Sequence, residues 1–333
     1  FNDIDTDTED GSLIQWFKNG VEQTALENDS VVGASSIAKD EVWAVNVSPR
    51  DGTDFGQSVL SSNVSIGNTL PTVSNLIFNN SNPISEDTIG FNATFFDADN
   101  DDGSLRFKWF VNNVNVFNQT TFQNFPTSTP LNYTFISNLS SSNFTKGDKI
   151  NVSVVANDQV GDSETSFSMT LTIANAPPRI TEPVFNDSVP DQFEDVILST
   201  NYSDFDGDGG VVTFNWFINN SNIFNESVVP GSPAQSTLVS SNTSIGDVIN
   251  VSVVGNDGSV DSVTLFSDTI TVVAQCNAGE TRNCTNQQGV CSGAVETCNN
   301  GAFTGCTDAT YVAHNSSYNA SEFNCDGLDN DCD

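Results

Sequence analysis

Positive charge is scarce in this sequence of 333 residues. Nine lysines and arginines face 43 aspartates and glutamates, so the formal net charge is −34. Such a chain repels the phosphate backbone of nucleic acids and the surface of anionic membranes. No run of 18 apolar residues occurs either, and a membrane-spanning helix needs about that many. We therefore expect no nucleic-acid partner and no membrane insertion.

Side chains that usually perform catalysis are also few. His314 is the only histidine, and it stands in a polar stretch rich in Asn and Ser. A surface position explains it better than a Ser-His-Asp set, because no nucleophile motif accompanies it. Carboxylates are abundant, but they lie in predicted turns rather than on strands that line a cleft. We expect no enzyme.

Cysteine is absent from the first 275 residues, and all seven copies lie after them. Asn-x-Ser/Thr acceptor sequences occur 19 times, and together the two features indicate an oxidising, extracellular setting. No signal peptide precedes Phe1, so we expect a mature or trimmed part of a longer protein. The candidate sites for N-linked glycans are Asn28, Asn63, Asn79, Asn92, Asn118, Asn132, Asn138, Asn143, Asn151, Asn186, Asn201, Asn219, Asn225, Asn242, Asn250, Asn315 and Asn319.

Three copies of one stretch organise the first 275 residues. Each copy has an acidic loop followed by a strand with Trp-Phe and then Asn: DTDTEDGSLIQWFKNG at 5–20, DADNDDGSLRFKWFVNN at 97–113 and DFDGDGGVVTFNWFINN at 204–220. The tryptophans, Trp16, Trp109 and Trp216, are 93 and then 107 residues apart. A period near a hundred residues predicts tandem β-sandwiches, with these tryptophans in their cores.

Short runs of alternating apolar and polar residues predict the strands. In the second copy they lie near 73–78, 89–96, 105–111, 114–117, 132–136, 149–156 and 166–173. In the third they lie near 196–202, 211–218, 248–255 and 264–273. Within INVSVV at 150–155, the isoleucine and valines at 150, 152 and 154 are predicted to face the core, while Asn151 and Ser153 face water.

We predict an all-β chain of tandem Ig-like β-sandwiches arranged as a rod, followed by a small disulfide-rich module. The predicted domains are a first repeat at 1–70, a second at 71–176, a third at 177–275 and a C-terminal module at 276–333. The junctions are short and two contain proline, IGNTLP at 66–71 and IANAPP at 173–178. Proline restricts its own backbone and that of the preceding residue, so we expect stiff linkers.

The first repeat lacks its first strand and most of its second, because Phe1 already corresponds to the late part of the second strand. A sandwich without these strands exposes an apolar seam and unpaired edges. Earlier residues of a longer polypeptide could supply the strands, or another subunit could donate one as in pilus-type complementation. The expected partners are therefore copies of this chain or neighbouring segments of the same long chain.

Residues 1–275 resemble the tandem Ig-like, PKD-like and cadherin-like repeats of archaeal and bacterial cell-surface glycoproteins. The resemblance rests on the acidic loops, WFKNG at 16–20, WAVNVSPRDG at 43–52 and the IGNTLP-type linkers. It implies a sandwich fold and a cell-surface location. It implies no particular activity, because such domains serve many purposes.

The acidic loops predict calcium sites, since alternating acids ahead of a glycine can aim several hard oxygens at one point. In an Ig-like sandwich the loop between the last two strands shares that end and adds acids, and two such loops repel unless a cation bridges them. Ordinary turn formation by Asp, Asn and Gly remains the alternative. The candidate ligands are Asp5, Asp7, Glu9, Asp51, Asp97, Asp99, Asp101, Asp158, Asp162, Asp204, Asp206, Asp208, Asp257 and Asp261.

The C-terminal block predicts a disulfide-stapled module, because its cysteines are regularly spaced and its residues are small. Zinc is disfavoured, since no Cys-x-x-Cys pair occurs. An odd number leaves one cysteine free or paired outside this chain. The candidate disulfide residues are Cys276, Cys284, Cys291, Cys298, Cys306, Cys325 and Cys332.

The block also ends in FNCDGLDNDCD at 323–333, which resembles the Cys-Asp-Gly-x-Asp-Asn-Asp-Cys-Asp run of cysteine-rich, metal-binding repeats of bacterial surface proteins. That resemblance implies a bound cation, and the expected cation is calcium. Its ligands would be Asp326, Asp329, Asp331 and Asp333.

These features together predict a structural extracellular glycoprotein, a subunit or segment of a cell-surface fibre stiffened by calcium. An adhesin that binds carbohydrate or protein through exposed loops is the alternative. A third class is a secreted hydrolase whose catalytic domain lies outside this sequence.

Overall fold

A computed structural model describes residues 1, 8–124, 132–321 and 328–332, and it divides the chain into two compact units, Phe1–Ala174 and Asn175–Asp333. The predicted all-β class is confirmed, because 25 strands account for nearly all regular structure in the described residues. The one α-helix among them, α1 (Asp308–His314), is seven residues long, and no helix there is long and apolar enough to cross a membrane.

The first repeat forms a single sheet in unit 1. Its strands are β1 (Leu13–Lys18), β2 (Val21–Glu22), β3 (Val42–Ser48), β4 (Val59–Leu60) and β5 (Val64–Ser65), in the order β2-β1-β3-β4 with β5 also on β3. Short 3-10 turns lie at Thr24–Leu26 and Ala34–Ser36. Within residues 8–70 no second sheet faces this one, and Trp43 and Ala44 are the only buried apolar side chains.

The second repeat is a complete two-layer sandwich. Its strands are β6 (Thr72–Phe78), β7 (Ile89–Phe96), β8 (Gly103–Val111), β9 (Val114–Gln123), β10 (Tyr133–Leu139), β11 (Lys149–Asn157), β12 (Ser166–Phe167) and β13 (Leu171–Thr172). One sheet has the order β10-β7-β6, and the other has the order β12-β11-β8-β9 with β13 also on β11. A 3-10 turn lies at Ser141–Asn143.

Strand β8 shows why the layers meet where they do. Leu105, Phe107 and Trp109 alternate with polar residues and are at most 1% exposed, so they form one face of the core. Phe91 of β7 packs edge-on against Trp109 from the opposite sheet, with ring centroids 6.1 Å apart. The indole N–H of Trp109 donates to Ser137 Oγ at 2.8 Å, so its burial leaves no unpaired donor.

The third repeat follows the same plan in unit 2. Its strands are β14 (Arg179–Ile180), β15 (Val184–Phe185), β16 (Val196–Thr200), β17 (Tyr202–Ser203), β18 (Val211–Ile218), β19 (Ser221–Val228), β20 (Ala234–Leu238), β21 (Val248–Asn256), β22 (Leu265–Phe266) and β23 (Ile270–Thr271). The sheet β15-β16-β20 faces β19-β18-β21-β22, while β14 pairs with β17 and β23 with β21. Trp216 is fully buried and donates to Ser236 Oγ at 2.9 Å, as its counterpart does in the second repeat.

The asparagines after each Trp-Phe pair form tight hairpin turns. Asn112 and Asn113 (φ 50° and 66°) link β8 to β9, and Asn219 and Asn220 (φ 51° and 65°) link β18 to β19. Two-residue loops of this kind need positive φ at both positions, which asparagine tolerates better than most residues. In the first repeat the turn between β1 and β2 is Asn19-Gly20.

The predicted inward side of INVSVV is confirmed, because the residues at 150, 152 and 154 are fully buried. The prediction for Ser153 was wrong: this side chain is only 5% exposed. It pairs with Lys108 of β8 on one side and Phe167 of β12 on the other, and these larger neighbours cover it.

The C-terminal module is held by disulfides rather than by a large core. Its short strands β24 (Thr281–Asn283) and β25 (Val295–Thr297) pair, a 3-10 turn lies at Gly289–Cys291, and α1 follows. Three bonds join Cys276 to Cys298, Cys284 to Cys306 and Cys291 to Cys332. Cys325 lies outside the described residues.

Candidate metal centres

Two acidic loops meet at one end of the second repeat. Asp97 follows the last residue of β7 and Asp158 follows the last residue of β11, so strands from opposite sheets deliver both carboxylates to the same place. Carboxylate oxygens of Asp97, Asp101 and Asp158 lie within 4.8 Å of one another. Three like charges this close repel unless a cation or protons compensate them.

Asp97 organises the loop that it begins. Its Oδ1 accepts the backbone N–H groups of Asp99 at 2.8 Å and Asp101 at 3.2 Å, which curls the loop around the carboxylate. The loop ends at Gly103, where a Cβ would overlap the Phe95 ring, so glycine is required. The side chain is 2% exposed, and its Oδ2 is buried without a hydrogen-bond partner. Burial raises the pKa of Asp97, and the nearby charges of Asp101 and Asp158 raise it further.

The linker ahead of the second repeat is tied to the same loops. Asp158 Oδ2 accepts the side-chain amide of Asn68 at 2.8 Å, and Asp99 Oδ2 accepts the backbone N–H of Thr69 at 2.5 Å. Burial acts to raise the pKa of Asp158, but the hydrogen bonds from Asn68 and the backbone of Gly161 hold this pKa below its ordinary value. Asn68 Oδ1 is also buried without a hydrogen-bond partner.

The third repeat repeats the hydrogen bonds of this loop, but its acid group contains Asp206, the counterpart of Asp99, and not Asp257, the counterpart of Asp158. Carboxylate oxygens of Asp204, Asp206 and Asp208 lie within 4.8 Å of one another. Asp204 Oδ1 accepts the N–H groups of Asp206 and Asp208 at 2.8 and 3.1 Å, and its Oδ2 is buried without a partner.

The linker contacts of the third repeat match those of the second. Ala176 N–H donates to Asp206 Oδ2 at 2.9 Å, and the side-chain amide of Asn175 donates to Asp257 Oδ2 at 2.7 Å. In both repeats, therefore, some carboxylate oxygens accept hydrogen bonds from the linker, and others accept hydrogen bonds from within the acidic loop.

These oxygens suit a hard divalent cation. Calcium takes six to eight oxygen ligands from carboxylates, amides and carbonyl groups. In the second repeat Asp97, Asp101 and Asp158 offer carboxylate oxygens, and Asn68 offers an unpaired amide oxygen beside them. In the third repeat the carboxylates are those of Asp204, Asp206 and Asp208, and all three come from one loop.

The predicted ligands of the first repeat do not form such a group among the described residues. Glu9 accepts the backbone N–H of Ser12, and Asp51 accepts those of Thr53 and Asp54. Neither has two further acids within 4.8 Å in the part of the chain that the structure describes. Asp5 and Asp7 lie outside that part.

Asp162 and Asp261 close hairpins instead of joining the clusters. Asp162 pairs with Arg106 at 2.5 Å and accepts the amide of Asn157 at 2.7 Å. Asp261 accepts the amide of Asn256 at 2.6 Å in the equivalent place. Their carboxylates are thus engaged at the strand ends, and neither residue belongs to the two acid groups.

Two of the four candidate acids of the C-terminal run, Asp329 and Asp331, lie in the described residues. Asp329 Oδ1 accepts the N–H of Cys332 at 2.8 Å, and its backbone carbonyl accepts the N–H of Val290 at 3.0 Å. Asp331 lies next to Cys332, while Asp326 and Asp333 lie outside the described residues.

His314 is exposed, with Nε2 3.0 Å from the carbonyl oxygen of Ser292.

Sequence reasoning missed the linker side of these centres. Asn68 and Asn175 occupy the same position in IGNTLP and IANAPP, so aligning the two linkers would have found them. Lys39 also contacts the second-repeat group through Asp101, and no sequence pattern marked it.

All 17 candidate glycosylation sites lie in described segments, and none of them is buried. Asn92, Asn151, Asn250 and Asn315 are half-buried, and the other 13 are exposed.

Comparison with known proteins adds little to these findings. No family model and no curated protein matches the chain. A two-domain fibronectin type-III segment of chicken tenascin matches at 13% identity over 60% of this chain and 99% of that one, with a TM-score of 0.30. The FN1–FN3 domains of chicken CNTN1 match at 11% identity over 81% and 90%, with a TM-score of 0.25.

A third solved structure, the fibronectin(III)-like modules of Clostridium thermocellum CbhA, matches at 14% identity over 61% of this chain and 94% of that one, with a TM-score of 0.23. Scores this low carry no functional inference. The resemblance to PKD-like and cadherin-like repeats therefore stays a prediction.

The raised pKa of Asp97 predicts the effect of the substitution Asp97→Asn. An acid whose pKa is raised in the folded state makes the folded protein less stable as the pH rises through that pKa. The reason is that the folded protein then carries the buried charge. In EDTA we expect Asp97→Asn to raise the melting temperature by roughly 2–5 °C at pH 7. The gain should vanish at a pH low enough to protonate Asp97.

Asp162→Asn is the matched control, because it makes the same chemical change outside the acid group. It should lower the melting temperature slightly or leave it unchanged at pH 7. Equal destabilisation by both variants would show that burial of the Asp97 charge does not destabilise the folded protein.

Proposed function

We propose that this chain is a structural extracellular glycoprotein, a segment or subunit of a cell-surface fibre in which neighbouring strands complete the first repeat. The observation that supports this most is the uncovered sheet of residues 13–65. In the second repeat the same face is covered by a second layer. In the first repeat the described residues provide none.

The uncovered face is apolar and shaped as a trough. Trp16 and Trp43 meet edge-on there, with ring centroids 6.4 Å apart. Around them an open cavity of about 510 Å³ is lined by further apolar side chains, among them Val31, Ile37 and Val64. Trp43 itself is only 5% exposed, but Val31 is 72% exposed and Val64 is 60% exposed, so the rim of this face is open to water. Contiguous apolar surface of this kind usually marks an interaction site.

The second repeat indicates what would cover such a face. Phe78 of β6 and Phe91 of β7 both pack on Trp109, each with ring centroids 6.1 Å from it. Strand β1 of the first repeat pairs with β3 along its whole length and with β2 at Phe17 and Lys18. We expect the occupant to pack on the uncovered face, as β6 and β7 pack on Trp109 in the second repeat. Its expected chemistry is an extended strand with alternating large apolar residues, from a neighbouring repeat of the same polypeptide or from the next subunit.

Val64→Asp tests this proposal on the full chain. A charge on the uncovered face should weaken concentration-dependent association at least tenfold in sedimentation velocity and abolish filaments in electron micrographs. The monomer should melt unchanged, because Val64 is exposed. Val263→Asp is the matched control, since Val263 is 79% exposed and does not line the trough, and it should associate as the wild type does.

A second arm separates the two sources of the strand. A peptide of residues 86–98, which carries the β7 sequence, is added while tryptophan fluorescence is followed. Binding by a chain that stays monomeric would indicate a strand from the same polypeptide. If the wild-type chain is monomeric and does not bind the peptide, strand complementation is contradicted.

The proposal includes calcium at the two acid groups, where it would stiffen each linker against its repeat. The buried, unpartnered Oδ2 atoms of Asp97 and Asp204 support it. Calcium at about a hundred times its Kd should stabilise each loaded site by about 2.7 kcal/mol, because it binds only the folded state. The expected rise in melting temperature should be reversed by EDTA and lost in an Asp97→Asn/Asp204→Asn double variant. If EDTA leaves the melting temperature of the native protein unchanged, this part of the proposal fails.

N-linked glycans are the other part of the proposal, and the exposure of 13 of the 17 candidate asparagines supports it. Enzymatic or chemical deglycosylation of protein from its native source should lower its mass by several sugar chains. An unchanged mass would contradict glycosylation.

A further inference from the structure

Lys39 brings a positive charge from the first repeat to the acid group of the second. Its Nζ lies 2.7 Å from Asp101 Oδ2, and the two side chains are only 22% and 26% exposed. Lys39 precedes Asp40, whose backbone has a φ of 68° just before β3 begins. All of these residues belong to unit 1.

The single ammonium group of Lys39 does not neutralise all three carboxylates of this acid group. Carboxylates of Asp97, Asp101 and Asp158 crowd within 4.8 Å, and Lys39 pairs with Asp101. Asp97 is 98% buried, and its Oδ2 has no hydrogen-bond partner. The side-chain oxygen of Asn68 is also buried without a hydrogen-bond partner. A buried, unpaired carboxylate oxygen is costly, so its presence points to a ligand beyond Lys39.

We propose that Lys39 sets the cation affinity of the second repeat, because its ammonium group competes with a divalent cation for Asp101. The inference rests on the cation binding proposed above. Without a cation, Lys39 links the first repeat to the second through Asp101. When a cation binds, Asp101 turns to the cation and the ammonium group is released.

The competition follows from distance and charge. A cation held by Asp97 and Asp101 lies about 2.4 Å from their oxygens, and therefore only about 4–6 Å from an ammonium group on the same carboxylate. Positive charges that close repel strongly in a partly buried site. Removing the Lys39 charge should therefore tighten cation binding and weaken the cation-free junction.

Lys39→Met in an Asp204→Asn background tests the proposal, because the background silences the third-repeat group. Calcium binding to the full chain is measured by calorimetry at low salt. We expect Lys39→Met to bind calcium at least tenfold more tightly than the background chain and to melt at a lower temperature in EDTA. Lys39→Arg keeps the charge and should retain the weak affinity.

Lys149→Met is the matched control. It removes an equal charge at the start of β11, and that strand carries it roughly 30 Å from Asp158. Its calcium affinity should change less than twofold. Circular dichroism and tryptophan fluorescence check that each variant is folded.

The outcomes separate the two levels of the proposal. An unchanged or weaker affinity of folded Lys39→Met, with calcium still bound by the background chain, overturns the role of Lys39 and leaves the cation site intact. Absence of calcium binding in both chains overturns the cation site itself and the role of Lys39 with it.

Discussion

Burial of one indole ring fixes the geometry on which each complete repeat depends. Trp109 can be fully buried between the sheets because Ser137 accepts its N–H and Phe91 packs on its ring. That contact holds β8 against β7, and the ends of β7 and β11 then place Asp97 and Asp158 side by side. Trp216 and Ser236 repeat the bond in the third repeat. The apolar core thus determines where the acids meet, although none of the acids belongs to it.

In the first repeat the corresponding indole ring is not buried between two sheets. Trp16 lies on β1 as Trp109 lies on β8, but its N–H donates to the backbone carbonyl of Asp29 at 2.8 Å. A short irregular segment thus satisfies the polar end of the ring without supplying a second apolar layer. The hydrogen bond of the indole and its packing are separable requirements, and here the described residues meet only the first fully.

Much of the fold follows from local patterns. Period-2 alternation predicted the strands around Trp109 and Trp216, and the cysteine spacing predicted a disulfide module. The Asn-Asn hairpin turns are also readable from sequence, because few residues accept two successive positive φ angles. Ser153 was misplaced because alternation reports which side of a strand faces the core, and not how well neighbouring strands cover the other side.

Prediction of the candidate centres reached Asp97, Asp101 and Asp158 but neither Asn68 nor Lys39. Acidic loops have a local signature of spacing and glycine, whereas Lys39 reaches Asp101 from 62 positions away in the sequence. Such a contact depends on how two repeats meet, and single-repeat patterns carry no information about that. The helix α1 was also not predicted, since seven residues are too few for a clear 3.6-residue period.

The disulfides of the C-terminal module overlap along the chain. The pairs Cys276–Cys298, Cys284–Cys306 and Cys291–Cys332 leave no peptide bond between the first and last of these cysteines unspanned. An extracellular protease that cuts once inside this segment would therefore release nothing, because both products stay covalently joined. The module can be nicked and still remain one piece with the repeat that precedes it.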